Sequence, residues 1–111
     1  MFPRGRNKLN AIDLQYNMIS TLPNDMFSDM PALKYVYLAG NMIAVLPEAT
    51  FQPVISQLFH LDVSGNSIKC DCLIAWMLQL KVPFGLRGNC YAPKALRGKE
   101  FDQLTRSDLH C

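Results

Sequence analysis

The sequence predicts an α/β solenoid, a parallel sheet of stacked repeats closed at its C-terminal end by a disulfide-bonded helical cap. Three observations predict it. An apolar pattern recurs three times, at spacings of 24 and then 25 residues, which is the mark of a stacked repeat. Within each copy, apolar residues alternate with other residues, as in a short strand with one face buried. After Ile68 the pattern stops, and Cys70, Cys72, Cys90 and Cys111 share the remaining chain with an apolar run.

The chain opens on "MFPRGRNKL", which aligns with "TFQPVISQL" and sets Phe2 beside Phe51, each seven residues before a Leu. It is therefore expected to begin partway through a repeat, inside a longer parent and without an amino-terminal cap. The three full copies are "LNAIDLQYNMISTLP" from Leu9, "LKYVYLAGNMIAVLP" from Leu33 and "LFHLDVSGNSIKCDC" from Leu58. Ile12, Val36 and Leu61 coincide, as do Leu14, Leu38 and Val63, and Ile19, Ile43 and Ile68. "AIDLQ", "YVYLA" and "HLDVS" read as strands, and side by side they make a parallel sheet. Leu22 and Leu46, each followed by Pro, turn the chain to the outer side, where Phe27 and Phe51 can fill the interior. Asn17, Asn41 and Asn66 form a column where the chain leaves each strand. A buried amide needs partners, and the backbone of neighbouring turns can supply them.

The pattern L-x-x-L-x-L-x-x-N-x-I resembles the leucine-rich repeat family in its 24-residue extracellular form. The resemblance implies a curved, right-handed superhelix with its sheet on the concave side. It also organises the chain into repeats over 1–68 and a cysteine-rich cap over 69–111.

A solenoid's last repeat exposes its apolar interior unless something covers it. "LIAWMLQL", residues 73–80, reads as a short helix that is apolar almost all round and hence buried. Asp71 can accept a hydrogen bond from a free N–H at its start. Trp76 is expected to pack in the core. Four cysteines could in principle hold zinc, but zinc ribbons pair two C-x2-C units, whereas Cys90 and Cys111 stand far apart. A redox thiol would want C-x-x-C or a nearby base. Two disulfides fit best, since small extracellular units gain stability that way. The spacing leaves two pairings open once the strained Cys70–Cys72 bridge is set aside. C-x-C, an apolar helix with Trp, a third Cys, then Pro93, Leu96, Gly98 and a final Cys resemble the C-terminal cap of extracellular leucine-rich repeat proteins. That resemblance implies Cys70–Cys90 and Cys72–Cys111.

Composition is ordinary for a globular chain, with half of the 111 residues apolar and 18% charged. No apolar run approaches the roughly 20 residues of a membrane span, and the first ten residues carry no apolar core behind their basic ones. Residues 67–111 hold seven Lys/Arg against four Asp/Glu, so the cap is mildly basic. His60 and His110 lack triad partners in sequence, and no glycine loop could cradle phosphate. No enzyme activity, cofactor, metal or nucleic-acid partner is expected, nor membrane contact by this segment; the parent could still be membrane-anchored. Alternation points Ala11, Asp13, Gln15, Tyr35, Tyr37, Ala39, His60, Asp62 and Ser64 outward, with Lys34 and Phe59 at the strand starts. Asp13, Tyr35, Tyr37, Phe59, His60 and Asp62 are the candidate ligand-binding residues. The function expected is recognition of a protein ligand or receptor outside the cell, in an adhesion, guidance or innate-immune setting. The alternative is a secreted matrix protein whose basic cap touches sulfated glycans.

Overall fold

The computed structural model describes residues 8–78 and 85–109. Each alternating stretch becomes a three-residue strand: β1 Ala11–Asp13, β2 Tyr35–Tyr37 and β3 His60–Asp62. Their central residues, Ile12, Val36 and Leu61, face the core and are buried. A fourth strand, β4 Gly85–Arg87, follows in the cysteine-rich segment and pairs with β3. All pairings are parallel and the order is β1-β2-β3-β4. The sequence reading stopped the sheet at three strands. The missed signal is Leu86, which stands 25 residues after Leu61 and is paired with it. Gly88 hid it, because Gly stands where Leu38 and Val63 stand in the earlier copies. A Cβ on Gly88 would lie 2.4 Å from the Phe101 ring and 2.9 Å from Val63. The buried Phe101 side chain of the cap thus occupies the volume that a strand leucine takes elsewhere.

Backbone pairing runs on past the short strands. Leu14 N–H donates to Tyr37 O, Leu38 N–H to Asp62 O and Val63 N–H to Arg87 O, each at 2.8 Å. The chain then turns sharply. Tyr16, Gly40 and Gly65, one residue before each asparagine, all have positive φ, of 57°, 71° and 66°. This turn accounts for one misplaced residue. Ala39 was expected to point outward, but it is buried, because the chain has left β2 and strand alternation no longer governs it.

The asparagines follow the turn. Asn41 Nδ2 donates to Leu38 O of its own repeat at 2.9 Å and to Leu14 O of the preceding one at 3.0 Å. Its Oδ1 accepts from Ile19 N–H at 3.1 Å. Asn66 repeats the set with Val63 O, Leu38 O and Ile43 N–H. Both are buried. Asn17 is exposed and donates within its own turn, to Leu14 O and Gln15 O. On the opposite side, Thr50 Oγ1 donates to Leu22 O and Pro23 O, and Gln57 Nε2 to Met30 O and Leu33 O. These cross-repeat bonds carry no periodic sequence signature.

A single apolar core extends from Ile12 to Leu109. Its outer side is aromatic. Phe27 and Phe51 are fully buried, with ring centroids 5.6 Å apart, and Trp76 continues the column at 6.0 Å from Phe51. The indole Nε1–H donates to Leu46 O at 3.0 Å. Trp76 therefore occupies the place a phenylalanine takes in each repeat. Its segment is less helical and less buried than its composition suggested. It opens as a 3-10 turn, Cys72–Ile74, and continues as one α-helical turn, Ala75–Leu78; Gln79 and Leu80 lie outside the described residues. Asp71 caps it, accepting from Leu73 N–H at 2.9 Å. Leu73 itself is 60% exposed, since one turn can bury only the side that meets the repeats, through Ile74 and Met77.

Cys70 and Cys90 are bridged, with Cα atoms 5.6 Å apart. Cys72 is also disulfide-bonded; the expected pairing with Cys111 falls on a residue outside the described ones, as do Phe2 and His110. Cys70 N–H donates to Ala92 O, and Tyr91 N–H to Ile68 O, so the bridge lies beside a short backbone ladder. Farther on, Thr105 N–H and the Lys99 ammonium donate to Asp108 and hold its carboxyl below the usual 3.8.

Two outcomes test this architecture. Asn41→Ala leaves Ile19 N–H without its acceptor, at about 1–3 kcal/mol for a buried unpaired group. It also removes one of two side-chain donors from Leu14 O and Leu38 O, which keep Asn17 and Asn66, at about 0.5–1.5 kcal/mol per lost bond. It should cost about 2–4 kcal/mol in denaturant unfolding, whereas the exposed Asn17→Ala should cost under about 1 kcal/mol. Non-reducing peptide mapping should recover Cys70 joined to Cys90. Replacing both by Ala should lower stability by about 2–5 kcal/mol, the range for native bridges in small secreted domains.

Candidate functional site

The solvent face of the sheet carries the outward residues of four strands in two rows. Register places Ala11, Tyr35, His60 and Gly85 in one row, and Asp13, Tyr37, Asp62 and Arg87 in the other. Inward neighbours dictate this. Val36 and Leu38 are fully buried, so Tyr35 and Tyr37 must lie on the opposite face, where both are half-buried.

The aromatic residues gather in the middle of the sheet. The Tyr35 and Tyr37 rings are parallel within 5°, with centroids 6.5 Å apart. Phe59 meets Tyr35 edge-on at 6.1 Å, and His60 leans to within 5.4 Å of Tyr37. Lys34 Nζ stands 5.2 Å above the Phe59 ring. Phe59 is 59% exposed, a large apolar group in water at the start of β3. His60 reaches across because Gly85 gives it room: a Cβ there would lie 2.6 Å from Nδ1.

The two carboxylates differ. Asp13 is exposed and accepts from the Gln15 N–H at 3.1 Å and from its side-chain amide at 3.2 and 3.3 Å. Asp62 is half-buried, accepts from Ser64 N–H at 3.0 Å and Ser64 Oγ at 2.6 Å, and has Arg87 as its neighbour on β4. The structure thus brings Tyr35, Tyr37, Phe59 and His60 together and sets Asp13 and Asp62 on either side of Tyr37. Arg87 and Gly85 also belong to this face. Sequence reasoning missed both, because β4 was not foreseen.

Other surfaces offer less. A groove of about 500 Å³ lies between the copy that starts at Leu33 and the cap, lined by residues including Val45, Pro47, Leu73, Trp76 and Arg106. Among the described residues no three His, Cys, Asp or Glu side chains gather as a metal set, and no helix is long and apolar enough to cross a membrane. On the cap, Arg97 stacks over Tyr91 at 4.9 Å and Lys99 pairs with Asp108 at 3.2 Å.

Comparison with known proteins places this geometry. Residues 2–43 match the family model described as leucine rich repeat. Leucine-rich repeat and fibronectin type-III domain-containing protein 4 of Rattus norvegicus is 27% identical over 114 residues, covering 93% of this chain and 17% of that protein. Toll-like receptor 9 of Mus musculus is 30% identical over 97 residues, covering 82% of this chain and 9% of that one. Among solved structures, a chain of the octameric complex of latrophilin 3, Unc5D and FLRT2 superposes with a TM-score of 0.80 at 27% identity, covering 93% of this chain and 33% of that one. The present chain thus spans a third or less of the length of each.

The register of the face is open to test. Tyr37→Ala removes an outward ring and should change unfolding free energy by no more than about 1 kcal/mol. Leu38→Ala, one residue on, opens a core cavity and should cost about 2–5 kcal/mol. Calorimetry on the two variants side by side would expose a register shifted by one residue as an exchange of these effects.

Proposed function

Because the chain belongs to the extracellular leucine-rich repeat proteins, we propose that it is a recognition module that binds a protein ligand through its concave sheet. The observation that carries this reading is the Tyr35–Tyr37 pair. Two half-exposed aromatic rings with polar tips stand on β2, a central strand, with Phe59 and His60 packed against them. Tyrosine and other aromatics are favoured anchors of protein interfaces, and central, well-packed ones dominate affinity. A sheet that buries one face and leaves such a cluster on the other has a ready contact surface. The solved FLRT2-containing complex adds support, since there a protein with this fold is assembled with latrophilin 3 and Unc5D. Adhesion, guidance and innate-immune roles are the settings we propose for the parent, as a secreted protein or the ectodomain of a membrane protein. The division into repeats over 1–68 and a cap over 69–111 is part of the same proposal, the cap serving to close the stack. No catalytic role is proposed. The matrix reading with a glycan-binding cap draws on Lys94, Arg97 and Arg106, all exposed. Two cap cations are already engaged, Arg97 with Tyr91 and Lys99 with Asp108, which weakens that reading.

The chain, immobilised, should retain members of a panel of purified receptor and adhesion ectodomains in surface-binding measurements. Tyr37→Ala should weaken such binding by about 2 kcal/mol, roughly thirtyfold, while Glu48→Ala, on the opposite side, should leave it unchanged. Binding that survives Tyr37→Ala and is lost with Glu48→Ala would overturn the concave reading. Retention on heparin that is lost with added salt, without any protein ligand, would favour the matrix alternative.

A further inference from the structure

Resting on that reading of the concave sheet, we propose that its partner presents an arginine, whose guanidinium lies on the Tyr37 ring with Asp13 as counter-ion. The charges along one row carry the argument. Asp13, Tyr37, Asp62 and Arg87 stand side by side on β1 to β4, and neighbouring strands lie about 4.8 Å apart. Tyr37 therefore has a carboxylate on each side, but the two are not equivalent. Asp62 stands in register with the cationic Arg87 on the adjoining strand, whereas the hydrogen bonds it takes from Ser64 N–H and Oγ match those Asp13 takes from Gln15. Asp13 is three strands from Arg87, about 14 Å away and beyond the roughly 8 Å screening length at physiological salt. Its only side-chain partner is the uncharged Gln15, so its charge stays unmatched among the described residues. An ionised carboxylate has about four acceptor positions, and some remain open to a ligand. The cation nearest along β2, Lys34, is held over Phe59 at the other end of the strand.

Shape agrees with charge. His60 covers the β3 side of Tyr37, with centroids 5.4 Å apart. On the β1 side the residue paired with Tyr35 is Ala11, which is small and exposed. The space above Ala11 is thus bordered by Tyr35, Tyr37 and the Asp13 carboxylate and is open to solvent. The two rings beside it are parallel within 5°, and cations are attracted to the faces of such rings. Arginine suits it better than lysine, because a flat guanidinium stacks on a ring while its forked donors reach a carboxylate.

The test uses the 111-residue chain and small probes. N-acetyl-arginine methylamide is titrated while the Tyr35 and Tyr37 ring protons and the Ala11 amide are followed by NMR. N-acetyl-citrulline methylamide, the same shape without charge, is the control, and the lysine analogue is a second. Saturable shifts at all three positions are expected with arginine, and binding of citrulline should be about threefold weaker or less detectable still. Asp13→Asn should weaken arginine about two- to fivefold, while Asp62→Asn should change it by less than about twofold. Equal response to citrulline, equal loss in both aspartate variants, or no saturable shift would overturn the proposal. If Tyr37→Ala abolishes a protein ligand while arginine produces no shift, the cation site is wrong and the concave interface stands.

Discussion

The fold depends on satisfying the backbone where each chain segment leaves its strand. Three-residue strands are too short to hold a sheet by their own ladder. At their exits, carbonyls and N–H groups point into the stack, away from water. Asn41 and Asn66 meet that demand, each binding one carbonyl of its own repeat together with a carbonyl and an N–H of the repeat before. A side chain that bonds two consecutive repeats fixes their offset. Val36 and Leu61 then come into register as a consequence, and so do the outward side chains between them. The positive-φ residue before each asparagine bends the chain so that the amide can turn inward.

The opposite side is held differently. Phe27, Phe51 and Trp76 form a column with centroid steps of 5.6 and 6.0 Å, so the outer side of the stack advances by one ring at a time. Trp76 shows how the cap closes the solenoid. It extends the column with a larger ring, and its N–H binds Leu46 O, a carbonyl of the copy that starts at Leu33. β4 does the same for the sheet, and Phe101 fills the volume vacated by Gly88. The Cys70–Cys90 bridge then ties the end of the last repeat to the chain emerging beyond β4. The cap thus imitates another repeat in its contacts while abandoning the repeat sequence.

This division of labour leaves the concave face largely free of structural duty. Its side chains are not required for the stack, so aromatic and charged residues can occupy it at little cost to stability. The cap nonetheless contributes to it, because Gly85 makes room for His60 and Arg87 stands beside Asp62. The last repeat and the cap therefore share one surface, with Arg87 in register with Asp62 and three strands from Asp13.

The repeat period, the inward set Ile12, Val36, Leu38 and Leu61 and the oxidised cap could be read from the chain alone. Each rests on a pattern that a stacked geometry forces on every copy. Of the asparagine column, Asn41 and Asn66 are buried and Asn17 is exposed. What could not be read was whatever one repeat does for another without repeating. Thr50 and Gln57 bind carbonyls 24 to 28 residues away, yet no periodic neighbour marks them. Ala39 turned inward because the chain bends after Tyr37, where alternation ceases to apply. β4 was hidden because Phe101, from a distant part of the chain, replaced the strand's own leucine. The stacking of Tyr35 on Tyr37 and the reach of His60 over Gly85 were likewise decided by tertiary structure. Periodicity specifies which face a residue takes, but only neighbouring strands determine what it meets there.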